Sequence, residues 1–284
     1  MKSRSGMKKL GETSGRPDFT APPVVEVACS VQFTELSKFQ TPYAGFLWEE
    51  FRDEYPDFEE KVPLPHILET FPGPSQPRFQ MGFADLPPAR RVFFLTKTGN
   101  NVIQIQPDRF VHNWRKVLDE DEYPRYDAVK AVFLDQWKRF LSFADAHGLG
   151  EVVPDQFELT YVNQIPIGSG WQDLGDVGEI LRDVRWESGR RFLPKPETLL
   201  WRQTFVMAVG ESRLHVLARE GRKTKDGKEI LILELTARGF PLHTPGGGEE
   251  QMTAWFDLAH AWIVNGFVDL TTGKAQKNLW GRTQ

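Results

Sequence analysis

The residues best suited to acid–base and metal chemistry are scattered along this chain. It has one cysteine, Cys29, and six histidines, at positions 66, 112, 147, 215, 243 and 260. A zinc site needs three or four such ligands at characteristic spacings, and the sequence contains no cysteine–histidine cluster, HExxH pair or GxSxG elbow. The spacing therefore predicts no metal and no cofactor, and it points to no catalytic residue.

Two motifs that act on phosphates are excluded by their surroundings. The glycine clusters at 168–170 and 246–248 lack the lysine that completes a phosphate-binding loop. Arg238 and His243 have the spacing seen in helical ribonuclease toxins, where both side chains share one helix face. Because Pro241 lies between them and proline breaks a helix, we interpret this match as coincidence.

Basic residues are concentrated in the second half of the chain. Residues 182–228 contain 12 lysines and arginines against 6 acidic residues, a net charge of +6, whereas the rest carries −10. Such a surface attracts phosphates or an acidic partner, and interleaved tryptophans can stack on bases. The candidate nucleic-acid surface comprises Arg185, Arg190, Arg191, Lys195, Arg222, Lys223 and Lys225. The alternative is that these residues serve only solubility.

Amide side chains occupy alternating positions of several predicted strands. Gln32, Gln104, Gln106 and Asn163 lie on the polar sides of strands whose other sides are apolar. A carboxamide is both a donor and an acceptor, so it pairs with a peptide group without any net charge. These residues predict a sheet face for a peptide or protein partner, although polar outward faces are also normal in antiparallel sheets.

Hydrophobic periodicity places these residues on strands and helices. In the first half, apolar residues alternate from Val25 to Phe33 and predict a strand, and Thr41-Pro42 predicts the start of a short helix. The proline-rich stretch 56–77 predicts irregular structure. Further strands are predicted over 78–86, 91–97 and 101–114, with a bulge or an edge at Pro107, followed by a long helix over 126–147.

The second half repeats this order. It predicts a strand at 157–167, a short helix at 171–184, strands at 199–209, 213–219 and 229–237, and a long helix at 249–267. The repetition predicts an α+β fold of two tandem pseudo-repeats, each with the order strand, short helix, three strands, long helix. A long helix would cover each antiparallel sheet, as in helix-grip or TATA-box-binding-protein-like topologies.

Composition and charge set the class of protein. The chain has 284 residues, 40% of them hydrophobic, and a net charge of −4, which is typical of a globular protein. A single cysteine excludes an internal disulfide, and no apolar run approaches the roughly 18 residues of a membrane helix. We therefore expect a cytoplasmic protein with no membrane contact. We predict a disordered tail at 1–20, a first unit at 21–149 and a second at 150–284, packed as one body.

A set of segments resembles a known family. The segments are PPVVEVACSVQF (22–33), VIQIQPDRFVHNWRK (102–116), YVNQI (161–165), LELTARG (233–239) and FVDLTTGKAQKNLWGR (267–282). Together they resemble a bacterial family described as "sporadically distributed" proteins of unknown function. The resemblance implies a cytosolic bacterial protein with patchy occurrence, as in accessory or defence loci. It implies no catalytic residues.

The sequence favours a non-catalytic adaptor that binds a protein partner through the sheet face and the basic loops. Nucleic-acid binding through the basic segment 182–228 is the alternative. A third hypothesis is an enzyme whose site is assembled from dispersed carboxylates and histidines, which spacing alone does not reveal.

Overall fold

The computed structural model describes residues 16–73, 76–77, 90–187, 189, 191–208, 211–223, 225–241 and 248–283. This part of the chain has an α+β fold built on a large antiparallel sheet. The helices are α1 (Thr41–Phe51), α2 (Tyr126–Ala146), α3 (Glu249–Leu270) and α4 (Gly273–Asn278), with a 3-10 helix at Leu174–Glu179.

The strands follow a regular course along the chain. They are β1 (Val24–Phe33), β2 (Asp57–Lys61), β3 (Ile67–Leu68), β4 (Gln76–Pro77), β5 (Arg91–Leu95), β6 (Asn101–Gln106), β7 (Arg109–Arg115), β8 (Pro154–Pro166), β9 (Leu200–Val206), β10 (Ser212–Arg222) and β11 (Glu229–Gly239). Nine of them form one sheet in the order β2-β5-β6-β7-β1-β8-β11-β10-β9, and β3 pairs with β4 separately. The sheet centre is the antiparallel pair β1–β8, with Val27 opposite Tyr161.

The core lies between one face of the sheet and the two long helices. Alternation in β7 and β8 turns Phe110 and Phe157 towards the helices, where both are buried. The ring centroid of Phe110 lies 6.4 Å from that of Phe133 in α2, and Phe157 lies 5.8 Å from Phe256 in α3. Phe133 and Phe256 meet each other at 5.0 Å. Burial of each such ring contributes about 2–3 kcal/mol, so these aromatic contacts join α2, α3 and the sheet.

Helix α2 follows its sequence pattern closely. Apolar residues recur every three or four positions and are buried against the sheet: Val129, Phe133, Trp137, Phe140 and Ala144. The helix ends where Gly148 adopts a left-handed φ of 59°, and the Leu149 amide donates to the Ala144 carbonyl at 2.9 Å. This glycine C-cap matches the predicted end of the helix.

One predicted strand is in fact a hairpin. The segment 101–114 forms β6 and β7, with Gln106 opposite Arg109 and with Pro107 and Asp108 at the turn. Proline fits a turn because it has no amide hydrogen to donate to a strand partner. The predicted strand at 78–86 lies outside the described residues.

Other differences concern short elements. Residues 57–61, within the stretch predicted to be irregular, form the edge strand β2 beside β5. The helix predicted at 171–184 is only the 3-10 turn Leu174–Glu179. A Cβ atom on Gly178 would lie 2.9 Å from the carbonyl oxygen of Val184, so this close passage requires glycine. Helix α4 had no predicted counterpart.

The folded part of the chain starts before residue 21, contrary to the predicted tail boundary. Phe19 is only 6% exposed and packs edge-to-face on Phe267 at 5.5 Å. The Thr20 amide donates to the Gly281 carbonyl at 3.2 Å. Residues 16–20 therefore pack against the C-terminal segment, because an aromatic side chain anchors them there.

Candidate functional site

The sheet face opposite the helices is crossed by a segment of the same chain. Residues 62–73, which we call the strap, bond to side chains of β6, β1, β8 and β10 in that order. Because this order follows the strand order of the sheet, the strap runs across the strands rather than along them.

Two glutamines pair with the strap main chain through both ends of their amides. Gln106 Oε1 accepts from the Leu64 amide at 3.0 Å, and Gln106 Nε2 donates to the Leu64 carbonyl at 3.0 Å. Gln32 Nε2 donates to the Ile67 carbonyl at 3.0 Å, and Gln32 Oε1 accepts from the Ile67 amide at 3.2 Å. Each side chain thus bonds to both the main-chain amide and the main-chain carbonyl of one strap residue, which is the pairing expected of a carboxamide.

A third glutamine and an arginine extend this pattern. Gln156 Nε2 donates to the Ile67 carbonyl at 2.6 Å, and Gln156 Oε1 accepts from the Glu69 amide at 2.7 Å. Arg109 Nη2 donates to the Pro65 carbonyl at 3.0 Å. The strap backbone is therefore held by side chains of the sheet, whereas β-sheet addition would use main-chain atoms.

Glu69 is the most deeply buried residue of the strap. Its carboxylate is fully buried and receives a hydrogen bond from Arg213 Nη1. His215 Nε2 lies 2.6 Å from Glu69 Oε1, and Arg238 Nη1 lies 3.7 Å from the same oxygen. Thr204 Oγ1 lies 3.2 Å from His215 Nδ1, so the hydroxyl can donate to Nδ1 while Nε2 donates to Glu69.

The arginine that binds Glu69 also holds the strap beyond it. Arg213 Nη2 donates to the carbonyl of Thr70 at 2.8 Å and to that of Gly73. Its guanidinium lies 3.8 Å from the ring centroid of Phe71, a cation–π contact. One buried guanidinium therefore contacts the strap at four positions between residues 69 and 73.

Between Leu64 and Ile67, the strap is fixed by a histidine and two aspartates. His66 Nδ1 lies 2.8 Å from Asp108, and His66 Nε2 lies 3.8 Å from Asp155. Burial raises the pKa of Asp108, but hydrogen bonds from His66 and Gln106 outweigh it and hold the pKa below its ordinary value. Asp108 therefore remains ionised at neutral pH and can attract the imidazole.

The strap contributes no hydrophobic side chain to the core. Of residues 62–73, only Glu69 is buried, whereas Val62 is 82% exposed and Leu64, Ile67 and Leu68 are half-buried. Polar contacts therefore dominate the attachment of this segment. Segments with few buried apolar contacts open at lower free energy than the core does.

The amide residues predicted from sequence fall into three environments. Gln32 and Gln106 contact the strap, as described. Gln104 lies on the same face but accepts from Arg91 at 3.0 Å and donates to Asn113 at 2.6 Å. Asn163 is on the opposite face, where it donates to the Leu233 carbonyl at 3.0 Å. Including Asn163 in the same face was wrong, because β8 alternates and Asn163 shares the side of Tyr161.

Several residues of this site were not proposed from sequence, among them Gln156, Glu69, Arg213 and His215. Alternation in β8 could have identified Gln156, which precedes buried Phe157. Glu69 lies in a proline-rich segment with no period, so no pattern points to its burial. Its partners are 144 and 146 positions away in the sequence.

Much of the predicted basic surface is paired with acidic groups. Lys195 lies 2.5 Å from Asp173, Arg222 lies 3.0 Å from Glu229, and Lys225 and Lys223 lie 3.3 and 3.8 Å from Asp119. Arg191 stacks 4.2 Å above the ring of Trp186, Arg185 is exposed, and Arg190 lies outside the described residues. Acidic neighbours reduce the local potential that this stretch presents to an anion.

A cleft of about 380 Å³ opens on the helix side of the sheet. Its lining includes Tyr123 and Tyr161, whose hydroxyl oxygens are 2.9 Å apart, and also Asn163, Arg125 and His260. Burial raises the pKa of both tyrosines, so their hydroxyls stay protonated at neutral pH. Burial also lowers the pKa of His260 to about 4, which leaves its imidazole neutral.

Within the described ranges, no group of three histidine, cysteine, aspartate or glutamate side chains is arranged to hold a metal ion. Among the helices of those ranges, none is both long and apolar enough to cross a membrane.

Comparison with known proteins yields little. No family model and no curated protein matches the chain. One solved structure, that of DynU16 from the dynemicin biosynthetic locus, is 11% identical and covers 87% of this chain and 98% of its own, with a TM-score of 0.23. That score is too low to support any argument, and the resemblance to the sporadically distributed family stays a prediction.

Proposed function

We propose that this chain is a non-catalytic adaptor that binds an extended segment of a protein partner on the strap face of its sheet. One observation carries the proposal: Gln32, Gln106 and Gln156 each bond to both a main-chain carbonyl and an amide of the strap. Because these bonds engage the main chain, the face can accept different sequences in the same extended conformation.

The strand order supports the tandem pseudo-repeat that we propose for this fold. From the seam outward, the order is β1-β7-β6-β5 in the first half, followed by the additional edge strand β2, and β8-β11-β10-β9 in the second. The corresponding strands occupy the same positions in each half, and α2 and α3 follow the last strand of each. A pseudo-twofold arrangement of this kind, similar to helix-grip and TATA-box-binding-protein-like folds, would give the adaptor a continuous concave face.

Each amide contact adds a modest amount of free energy. A hydrogen bond contributes about 1 kcal/mol net, so the six bonds of the three glutamines together stabilise a bound segment by several kcal/mol. Ordering an extended segment opposes this by about 1 kcal/mol or more per residue. The two terms nearly cancel, so the amide contacts alone bind an isolated peptide only weakly, and its affinity depends on further contacts such as the ion pair of Glu69 with Arg213.

A variant with an open strap tests the proposal. We define it by replacing residues 63–70 with a glycine–serine sequence of equal length, which removes β3 but leaves β2 and the other strands of the nine-stranded sheet unchanged. The probe is a fluorescent peptide of residues 62–73, VPLPHILETFPG. Binding measured by fluorescence anisotropy supports the proposal.

Two substitutions in the strap-open variant locate the binding. Gln32→Ala should weaken the peptide about 30-fold, because two hydrogen bonds of about 1 kcal/mol each are lost. Gln104→Ala is the matched control, since Gln104 lies on the same face but is bonded to Arg91 and Asn113. A folded strap-open variant that fails to bind the peptide contradicts the proposed function.

A further inference from the structure

Glu69 lies in a pocket formed by Arg213, His215 and Arg238, which we call the seat, and this pocket fits a carboxylate. Arg213 and Arg238 bring two positive charges to it, Glu158 accepts from Arg238 Nε at 2.5 Å, and His215 adds a donor. When Glu69 is removed, the Arg213 guanidinium loses its carboxylate partner. The Arg213 side chain is only 6% exposed, so water cannot replace the lost carboxylate fully.

We propose that the strap is an internal competitor, and that the partner is an extended peptide whose acidic side chain replaces Glu69. This inference rests on the proposed function and names the chemistry of the partner. An incoming segment is recognised by the same contacts: its carboxylate enters the seat formed by Arg213, His215 and Arg238, and its main chain meets the three glutamines.

The strap itself defines the spacing of the motif. Main-chain pairing occurs at Leu64 and Ile67, five and two positions before Glu69. Side chains between these positions are half-buried or exposed. The motif is therefore an acidic residue preceded by an extended stretch, in which a histidine three positions earlier contacts Asp108 and Asp155 and the carboxylate is the most deeply buried side chain.

Displacement is feasible because polar contacts dominate on the strap. A competing peptide re-forms each of these contacts, so little of the core is disturbed when the two exchange. The tethered strap has the advantage of a high effective concentration, on the order of millimolar for short linkers. A partner must therefore bind more tightly than the free strap peptide, for example by extending beyond it.

Two peptides test the carboxylate requirement on the strap-open variant. One has the sequence of residues 62–73, and the other carries the change Glu69→Gln within it. We expect the glutamine peptide to bind about 30-fold more weakly, because it leaves the Arg213 guanidinium buried without its counterion. Arg213→Ala should abolish this difference, whereas Arg219→Ala, exposed on the same strand and face, should preserve it.

The outcomes separate the inference from the proposed function. Equal binding of both peptides overturns the carboxylate requirement but leaves the peptide-binding face intact. Binding of neither peptide to a folded strap-open variant, with native-like circular dichroism, overturns both.

An intact chain tests displacement without the large replacement. Val62→Cys places a thiol at an 82% exposed position, and buried Cys29 is the only other cysteine, so a fluorophore labels residue 62 selectively. Titration with the acidic strap peptide should change the emission of the dye in a saturable manner. The Glu69→Gln peptide is the control. An unchanged signal at millimolar peptide overturns the idea that the strap can be displaced.

Discussion

Gln32 in β1 and Ile67 in the strap exchange two hydrogen bonds, although 35 positions separate them in the sequence. The side-chain amide of Gln32 thus acts as a substitute for a neighbouring strand. This relationship predicts where the strap loosens first when the glutamine is changed.

Gln32→Ala should release the middle of the strap while its ends stay attached. The Ile67 amide loses its acceptor, so its hydrogen exchange should become about fivefold faster, in line with one hydrogen bond of about 1 kcal/mol. The Leu64 amide, held by Gln106, is the internal control. Equal acceleration at both amides would show that the strap opens as a unit and contradict local release.

Arg213→Ala should lower the free energy of unfolding by about 3 kcal/mol. It leaves the fully buried Glu69 carboxylate with weaker partners, and an uncompensated buried charge is strongly destabilising. Arg219→Ala, at an exposed position of the same strand, should change stability by less than about 0.5 kcal/mol. Urea unfolding of both variants measures the difference, and similar values for the two would argue against a tightly held Glu69.

His112 should make stability depend on pH in the mildly acidic range. Burial lowers its pKa from 6.5 to about 4, only partly offset by nearby Gln136, and neither ring nitrogen has a hydrogen-bond partner among the described residues. Between these values the unfolded chain binds a proton that the folded chain does not. The free energy of unfolding therefore falls as pH falls from 6.5 to 4, by about 3 kcal/mol in total.

His112→Leu tests this dependence with a side chain of similar size. The variant should lose this component of the pH dependence and gain stability at pH 5, because leucine needs neither a proton nor a hydrogen-bond partner. Chemical denaturation at pH 5 and pH 8 compares it with the parent chain. A parallel loss of stability in both proteins at pH 5 would assign the effect to other groups.

Arg125 provides a test of backbone strain. It precedes α2 with φ 74° and ψ 157°, a region that only glycine adopts easily, and its guanidinium bonds to Asp18 and the Phe19 carbonyl. Arg125→Gly and Arg125→Ala both remove these bonds, but only glycine relieves the strain. The glycine variant should be about 1–2 kcal/mol more stable than the alanine variant. Thermal unfolding of the two variants gives the comparison, and equal stability would mean that the conformation carries no strain.

Elements with a local period could be predicted from sequence, and elements fixed by distant contacts could not. Strand β1 and helices α2 and α3 follow alternation or three- and four-residue steps, which neighbouring residues determine. The alternation of apolar residues on both sides of Pro107 predicted a bulge or an edge there rather than the turn between β6 and β7. The edge strand β2 has five exposed residues, so it carries no alternating pattern to detect.

The candidate site was predicted in part for the same reason. Gln32 and Gln106 lie on alternating strands, so their face and their suitability for peptide groups could be inferred. The segment that covers this face, the strap, could not be inferred, because it has no hydrophobic period and its partners are far away in the sequence. The burial of Glu69 depends on Arg213, which belongs to the other half of the chain. Charge counts also misrepresented the basic stretch, since they ignore partners such as Asp119 and Asp173.

The position of the β1–β8 seam has a consequence during protein synthesis. Strand β1 leaves the ribosome well before β8, with which one of its edges pairs and whose residues lie some 130 positions later. At typical elongation rates, β1, with the sequence VVEVACSVQF, is synthesised on the order of ten seconds before β8. A free strand edge of this composition is prone to associate with other chains. Protection by a chaperone is therefore most needed during synthesis, in the interval between the emergence of β1 and that of β8.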